Sequence, residues 1–311
     1  MKDIETIKFI SENSKYVFID TTKIDVFVNE IKGYEYHYWF NKEDFNLTEE
    51  KFIIFSFICE SMNFCFWKNR NWKVLYKGRE YIGSEALFYI ILKELDKNNN
   101  FLNIDYLNNL KYYEFKNIMT SNNEVPDLLE KRFKLLKKTI NIIAKKGRKF
   151  YEELFSKTSD EELLDYIIKN FNDFDDKSEF NGRIIHFNKR AILLTNDLFR
   201  MSETIKTNVK SINNLTGGAD YAIPKVLYDQ GIFKYDDKLL KIIQEGKIIR
   251  HNSRMEVEIR ANTLYVLEIM HDILMSMGIN IATIELDNII WNIRKTTNSK
   301  ILSHRTKTIY Y

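Results

Sequence analysis

Two carboxylates and a pair of cations stand where their local surroundings do not obviously need them. Asp220 follows two glycines in LTGGADY (215–221) and precedes a helical pattern containing Pro224. A carboxylate there has two uses. Its oxygen can cap the helix that follows, or it can be held on a tight turn as a catalytic acid or base. Gly217 and Gly218 permit positive φ and a close backbone approach. Asp287 interrupts the apolar pattern of TIELDNIIWNI (283–293), which is costly unless a donor satisfies it. It shares a helix face with Trp291, four residues on. A carboxylate beside an aromatic ring suits the paired N–H donors of a guanine-like edge; a salt bridge to an arginine such as Arg260 is the other outcome. In HFNKRAILL (186–194), Asn188 as N-cap puts Lys189 and Arg190 in the first helical turn, where the helix dipole disfavours cations. Backbone N–H groups and two cations together suit an anion, phosphate above all. The alternative is a mildly frustrated surface turn.

Aromatic residues cluster in FCFWKNRNW (64–72), where Phe64, Phe66, Trp67 and Trp72 are available either for stacking on a planar base or for core packing. The tail HRTKTIYY (304–311) carries His304, Arg305 and two terminal tyrosines, so it either frays or docks.

These groups must be positioned by a mainly helical chain. Thr48, Ser159 with Glu162, and Ser253 with Glu256 predict helix starts, the last two as capping boxes. KVLYKGREYIG (73–83) alternates around Lys77–Gly78 and predicts a β-hairpin, followed by a helix over 84–97. Pro126 predicts the opening of a helix reaching about Lys146. Its many cations read as a solvated face behind an apolar stripe. GRIIHF (182–187) predicts a strand leading into a helix over 188–206, and a last helix falls near 283–294. With no repeat or Gly/Ser/Pro linker, residues 1–311 read as a single mainly helical domain with a small β element.

Composition sets the outer bounds. The 47 basic and 44 acidic residues leave a net charge of +3, so no global field favours nucleic acid or membrane. Two cysteines argue for a reducing compartment. The five histidines show no metal-ligand spacing, so neither metal nor other cofactor is expected. MKDIETIKFISENS has no apolar signal core, and the most apolar window, FIIFSFICESMNFCFW, is interrupted by Glu60. The expectation is a cytoplasmic protein without a membrane span.

Taken together, NFCFW, YKGREYIG, HFNKRAILL, LTGGADYAIPKVLYDQGIFKY, SRMEVEIRANTLYVLEIM, LDNIIW and HRTKTIYY resemble the queuosine salvage proteins, in that family's order over roughly 63–311. Residues 1–60 match less clearly. The resemblance implies an N-glycosidase that hydrolyses queuosine 5′-monophosphate to queuine and ribose 5-phosphate. It also implies a helical fold similar to helix-hairpin-helix DNA glycosylases, a small-molecule substrate and no metal. By motif, Asp220 is the implied catalytic carboxylate and Lys189 a pocket residue. Asp287, Tyr221, Phe64, Phe66, Trp67, Trp291, Arg190, His186, His304 and Tyr311 are candidate binding residues. Within that hypothesis Lys189, with Arg190, holds the phosphate. One departure is Gly218, where the family usually has a bulky apolar residue. The rival readings are a DNA-base glycosylase and a nucleotide-binding module without catalysis.

Overall fold

Helix starts follow the capping residues. Thr48, Ser159 and Ser253 each accept a hydrogen bond from the backbone N–H three residues on, at 3.4, 3.2 and 3.5 Å. Such caps contribute about 1 kcal/mol each. The computed structural model describes residues 3–38, 47–67, 71–200, 207–296 and 298–311, and among these the chain is mainly helical. The helices are α1 (Ile4–Glu12), α2 (Thr22–Ile31), α3 (Glu49–Met62), α4 (Gly83–Lys97), α5 (Ile104–Asn109), α6 (Tyr112–Met119) and α7 (Leu129–Lys146). They continue with α8 (Arg148–Phe155), α9 (Asp160–Asn170), α10 (Lys189–Arg200), α11 (Ile223–Asp229), α12 (Asp237–Gln244), α13 (Arg254–Ser276) and α14 (Thr283–Thr296). The strands are β1 (Val17–Ile19), β2 (Lys73–Tyr76), β3 (Arg79–Ile82), β4 (Lys177–Phe180), β5 (Arg183–His186) and β6 (Phe233–Tyr235).

The strands form antiparallel pairs β2–β3, β4–β5 and β1–β6. Lys77 and Gly78 both have positive φ, the conformation a two-residue hairpin turn requires. The predicted strand over 182–187 appears as β5, paired with β4. The third pair joins positions 17–19 to 233–235.

Two expectations need correcting. Pro126 does not open a helix: Leu128 has positive φ, and α7 begins one residue later. The cations of α7 are not all solvated either. Lys131, Lys134, Lys138 and Lys145 are exposed, but Arg132 is fully buried and donates to the carbonyls of Met62, Phe64 and Cys65. Those carbonyls belong to the end of α3 and the loop after it, so the guanidinium closes a helix terminus that lacks intrahelical partners. The predicted helix over 188–206 is present as α10; residues 201–206 lie outside the described ones.

Two large apolar clusters organise the molecule. One gathers α3, α4, α6, α7, α9 and α10, with α3 buried on all sides. The other gathers α2, α11, α13, α14 and the β1–β6 pair. The C-terminal tail docks rather than fraying: Ile249 N–H donates to the Arg305 carbonyl at 2.8 Å and Cys65 N–H to the Tyr311 carbonyl at 2.9 Å. Among the described residues, no helix is long and apolar enough to cross a membrane.

Candidate active site

The turn before α11 is pinned at three of its residues. Thr216 donates to Glu268 at 2.9 Å, Gly218 N–H donates to Asp287 at 2.9 Å, and the Ala219 carbonyl accepts from Arg260 Nε at 3.1 Å. The three partners are buried side chains of α13 and α14. Glycine is required at 217 by space: a Cβ there would lie 2.4 Å from Leu267 Cδ1 and 2.9 Å from Asp287 Oδ2. At 218 a Cβ would sit 3.3 Å from Lys189 Cγ. The expectation that these glycines supply positive φ is corrected, because that conformation falls on Ala219 instead. An alanine there costs about 1–2 kcal/mol, and the Arg260 hydrogen bond to its carbonyl offsets it. Asp220 comes next, with Oδ1 accepting from Ala222 N–H at 2.6 Å. That bond closes a turn ahead of α11, whose N-cap is Ala222 and which no side chain caps, so the capping use is not realised; Oδ2 remains to face Lys189 Nζ at 3.8 Å.

Lys189 is delivered by a second constrained turn. Asn188 has positive φ, and its Oδ1 accepts from Asp176 N–H at 3.0 Å, so it ties β4 to α10 rather than acting as a simple cap. Asp176 in turn holds Arg260 at 2.5 and 3.2 Å. The Arg260 guanidinium lies between the Phe187 and Tyr311 rings, 3.9 and 4.3 Å from their centroids. One buried arginine thus fixes both the Asp220 turn and the start of the Lys189 helix.

Asp220 and Lys189 meet at the seam of a two-part cavity. An inner slot of about 70 Å³ is lined by residues including Glu60, Asn63, Asn196, Asp197 and Asp287. An outer basin of about 410 Å³ is lined by residues including Phe66, Trp67, Tyr221, Arg294, Lys295 and Arg305. Asn63, Ser84, Lys189, Asp220 and Trp291 border both. Together the two fall within the range of about 300–1,000 Å³ common for small-molecule sites. Burial, and then the charge of Asp220, push the Asp287 carboxyl up to about 7. The Gly218 N–H and Lys189 pull the other way. Burial and the charge of Asp197 likewise push Glu60 well up.

The cavity brings together Asp220, Lys189, Asp287, Tyr221, Phe66, Trp67 and Trp291. Asp287 makes no ion pair with Arg260, which is engaged by Asp176 and Glu256. Five candidates lie elsewhere. Arg190 is buried and donates to the carbonyls of Glu60, Ser61 and Asp173, so it is not presented to a ligand. Phe64 packs between Arg132 and Arg190, 4.5 and 5.5 Å from its ring centroid. His186 is exposed on β5, with Asp175 at 3.4 Å. His304 is buried against Tyr311, whose hydroxyl donates to Glu256 at 2.9 Å. These two belong to the Arg260 support.

Sequence reasoning did not single out Glu60, Asn63, Asn196, Asp197, Arg294 or Lys295. Glu60 did carry a signal, as a charge inside the most apolar window. Asn196–Asp197 likewise break the apolar run of α10.

Residues 43–311 match the family model described as queuosine salvage protein. The chain belongs to that family. Among curated relatives, the mouse (Mus musculus) queuosine 5′-phosphate N-glycosylase/hydrolase is 27% identical, covering 99% of this chain and 98% of the mouse protein. The protein of the same name from Sphaerobacter thermophilus is 28% identical over 82% of this chain and 80% of its own length. That from Dictyostelium discoideum is 25% identical over 99% and 98%. The family's reach therefore extends beyond the motifs legible from residue 63 onward. Every residue bordering the cavity lies inside the matched region.

Proposed function

We propose that this chain is a hydrolase of N-glycosidic bonds that converts queuosine 5′-phosphate to queuine and ribose 5-phosphate, with Asp220 as the catalytic carboxylate. The observation that carries the reading is the place of Asp220. It stands with its lysine at the seam between an acceptor-lined slot suited to a base and a cation-lined basin suited to a phosphate. Cleavage of a ribosyl C1′–N9 bond sends the bonding electrons to the base and leaves positive charge on the ribose. A fixed carboxylate near C1′ is worth most as that charge develops. Water then attacks C1′, its oxygen forming the new bond and its proton passing to Asp220.

Queuine is a 7-deazaguanine with carbon at position 7, so protonation at that position cannot assist departure. Asp287 supplies what is missing: raised to about 7, it holds a proton that the departing base can take. Passing the proton from Asp220 to Asp287 resets the pair. Lys189 keeps Asp220 provided with a counter-ion, and Arg294, Lys295 and Arg305 hold the phosphate in the basin. Trp291, Tyr221, Phe66 and Trp67 stack on the base or cover the ribose.

The same reading takes residues 1–311 as one domain resembling helix-hairpin-helix glycosylases, with the 217–222 turn and α11 as hairpin and second helix. The relatives covered almost end to end support the single domain. Buried, unpaired Cys59 and Cys65 suit the cytoplasm, where we place the reaction.

The test is incubation of the purified protein with queuosine 5′-phosphate and detection of queuine by mass spectrometry. Asp220→Asn is expected to lower kcat by about 10³-fold or more while changing substrate affinity only severalfold. No base released by the wild type, or full activity in Asp220→Asn, overturns the assignment.

A further inference from the structure

Asp220 and Asp287 are each preceded, one helical turn earlier in sequence, by a buried threonine, and both threonines bond to one side chain. Thr216 stands before Asp220 and donates to Glu268 Oε1 at 2.9 Å. Thr283 stands before Asp287 and donates to Oε2 of the same carboxylate at 3.2 Å. Glu268 belongs to α13 and is buried, as are both threonines. The turn that carries Asp220 and the helix that carries Asp287 are thus joined twice. Gly218 N–H donates directly to Asp287, and the Thr216–Glu268–Thr283 bridge forms a second link about 6 Å along α14.

The bridge is not what starts or buries α14. Glu285 accepts from Ala282 N–H at 2.7 Å at the head of that helix, and Leu286 and Ile290 seat it in the second apolar cluster. Apolar residues of the same shape at all three bridge positions would hold the fold about as well. What they would not supply is direction. Apolar burial is non-directional, whereas hydrogen bonds to an ionised acceptor are directional and strong. A single link at Asp287 leaves α14 a pivot, and a second fixes the rotation of its first turn. Asp287 shares that turn's face with Thr283.

We propose that Glu268 is a positioning residue for the glycosidase reaction: through Thr216 and Thr283 it sets the separation and orientation of Asp220 and Asp287, so that one carboxylate meets the ribose while the other meets the departing base. The proposal rests on the glycosidase reading given above. Among the described residues lining the two parts of the cavity Glu268 is absent, so it acts only through the carboxylates it spaces. Their separation has its own signature. Burial and then the charge of Asp220 hold the Asp287 carboxyl at about 7, so a looser bridge, which parts the two and admits water, lowers it. The other charged groups that share the inner slot with Asp287 are Lys189 and Asp197 on α10, Glu60 on α3 and Glu85 on α4. Substitution of the threonines leaves all of these, and Glu268 itself, in place.

Thr216→Val and Thr283→Val each cut one half of the bridge. Each is expected to lower kcat for queuosine 5′-phosphate about 10-fold with KM changed less than about 3-fold, because a small misplacement acts on the transition state. Both act through one bridge, so the double variant should also lose about 10-fold, rather than the roughly 100-fold of two independent sites. Glu268→Leu should match the double variant. Glu268→Gln, whose amide bonds to both hydroxyls, should return to within about 3-fold of wild type. A further measurement needs no turnover. Carbon-13 NMR of aspartate-labelled protein, with the Asp287 signal assigned through Asp287→Asn, should show its carboxyl titrating at least about half a pH unit lower in the double threonine variant. Thermal unfolding checks that each variant is folded, and the threonine variants decide if Glu268→Leu is not. Unchanged kcat in folded Glu268→Leu, threonine effects that multiply, or an Asp287 titration unmoved by the double variant overturns the positioning role. If the wild type releases no queuine, the glycosidase reading falls, and the Asp287 titration alone decides whether Glu268 spaces the pair.

Discussion

Asp220 and Asp287 are the same residue type in two different settings, and the difference makes them a pair rather than a duplication. Asp220 accepts a backbone N–H and faces Lys189, whereas Asp287, buried at the cavity wall, accepts one N–H and feels the charge of Asp220. With Asp287 raised to about 7, kcat/KM is expected to fall as pH rises above that value, because the proton offered to the departing base is lost. The same shift has a stability consequence. The folded chain holds a proton that the unfolded chain has released, so folding stability declines as pH rises from about 4 to 7. Asp287→Asn removes the effect. Its stability relative to wild type should improve by roughly 2–3 kcal/mol between pH 5 and pH 8. Denaturant titrations at the two pH values check this, and a pH-independent difference would contradict it. The adjacent glycines make a separate prediction. Gly217→Ala drives a methyl group against Leu267 and Asp287, so it should lower both stability, by about 1–3 kcal/mol, and turnover. Trimming Leu267 to Ala in the same chain should recover part of the turnover, as kcat assays of the single and double variants will show. Asp220, Asp287 and Lys189 were legible because each broke its local pattern, and recognition of the family order gave them a shared role. The reason for the glycines was only half legible. Close approach could be expected of them, but no local signal could place the positive φ on Ala219.

Elements bring these residues together through a buried support that no window of sequence displays. Arg260 on α13 binds Asp176 beside β4 and the carbonyl of Ala219, while Tyr311 covers its guanidinium and donates to Glu256. The partners lie 84, 41 and 55 positions apart in the chain, so spacing rules for helices or strands cannot reveal them. The three-residue pairing of β1 with β6 was unreadable for the same reason. Helices were legible where caps and periodicity coincide, as at α3, α9 and α13, and misplaced where a proline suggested a start that positive φ at Leu128 delays. The tail motif suggested docking without saying onto what. If Tyr311 supports the site through Arg260, its two contributions separate. Tyr311→Phe keeps the ring over the guanidinium and loses one hydrogen bond to a charged acceptor, at a cost of about 1–3 kcal/mol. Tyr311→Ala also opens a cavity and should cost about 3–5 kcal/mol. Turnover should follow the same order, with kcat falling more than KM rises, because the Asp220 turn loosens rather than disappears. Steady-state kinetics and thermal unfolding of both variants check this; equal effects from Phe and Ala would leave the ring without a role.

At the scale of the whole molecule, the cavity lies where two apolar clusters meet. Glu60 and Lys189 come from the α3–α10 side, while Asp287 and Trp291 come from the α11–α14 side. Asp220, just before α11, and its cation Lys189, on α10, come from opposite sides, so this pair exists only when the two are docked. Ligand bound at the seam contacts residues carried by both, and its binding energy therefore adds to the stability of their docking. By mass action, queuine at about 100 times its Kd should stabilise the folded state by about 2.7 kcal/mol. For a chain of 311 residues that corresponds to a rise in Tm of roughly 4 °C. Asp220→Asn should keep most of the rise, since the carboxylate acts chiefly on the transition state. Differential scanning calorimetry distinguishes the outcomes. A single transition that moves as a whole is expected if the ligand bridges the clusters. Two transitions, of which queuine shifts only one, would mean that a single cluster holds the base and that the seam contributes nothing to binding.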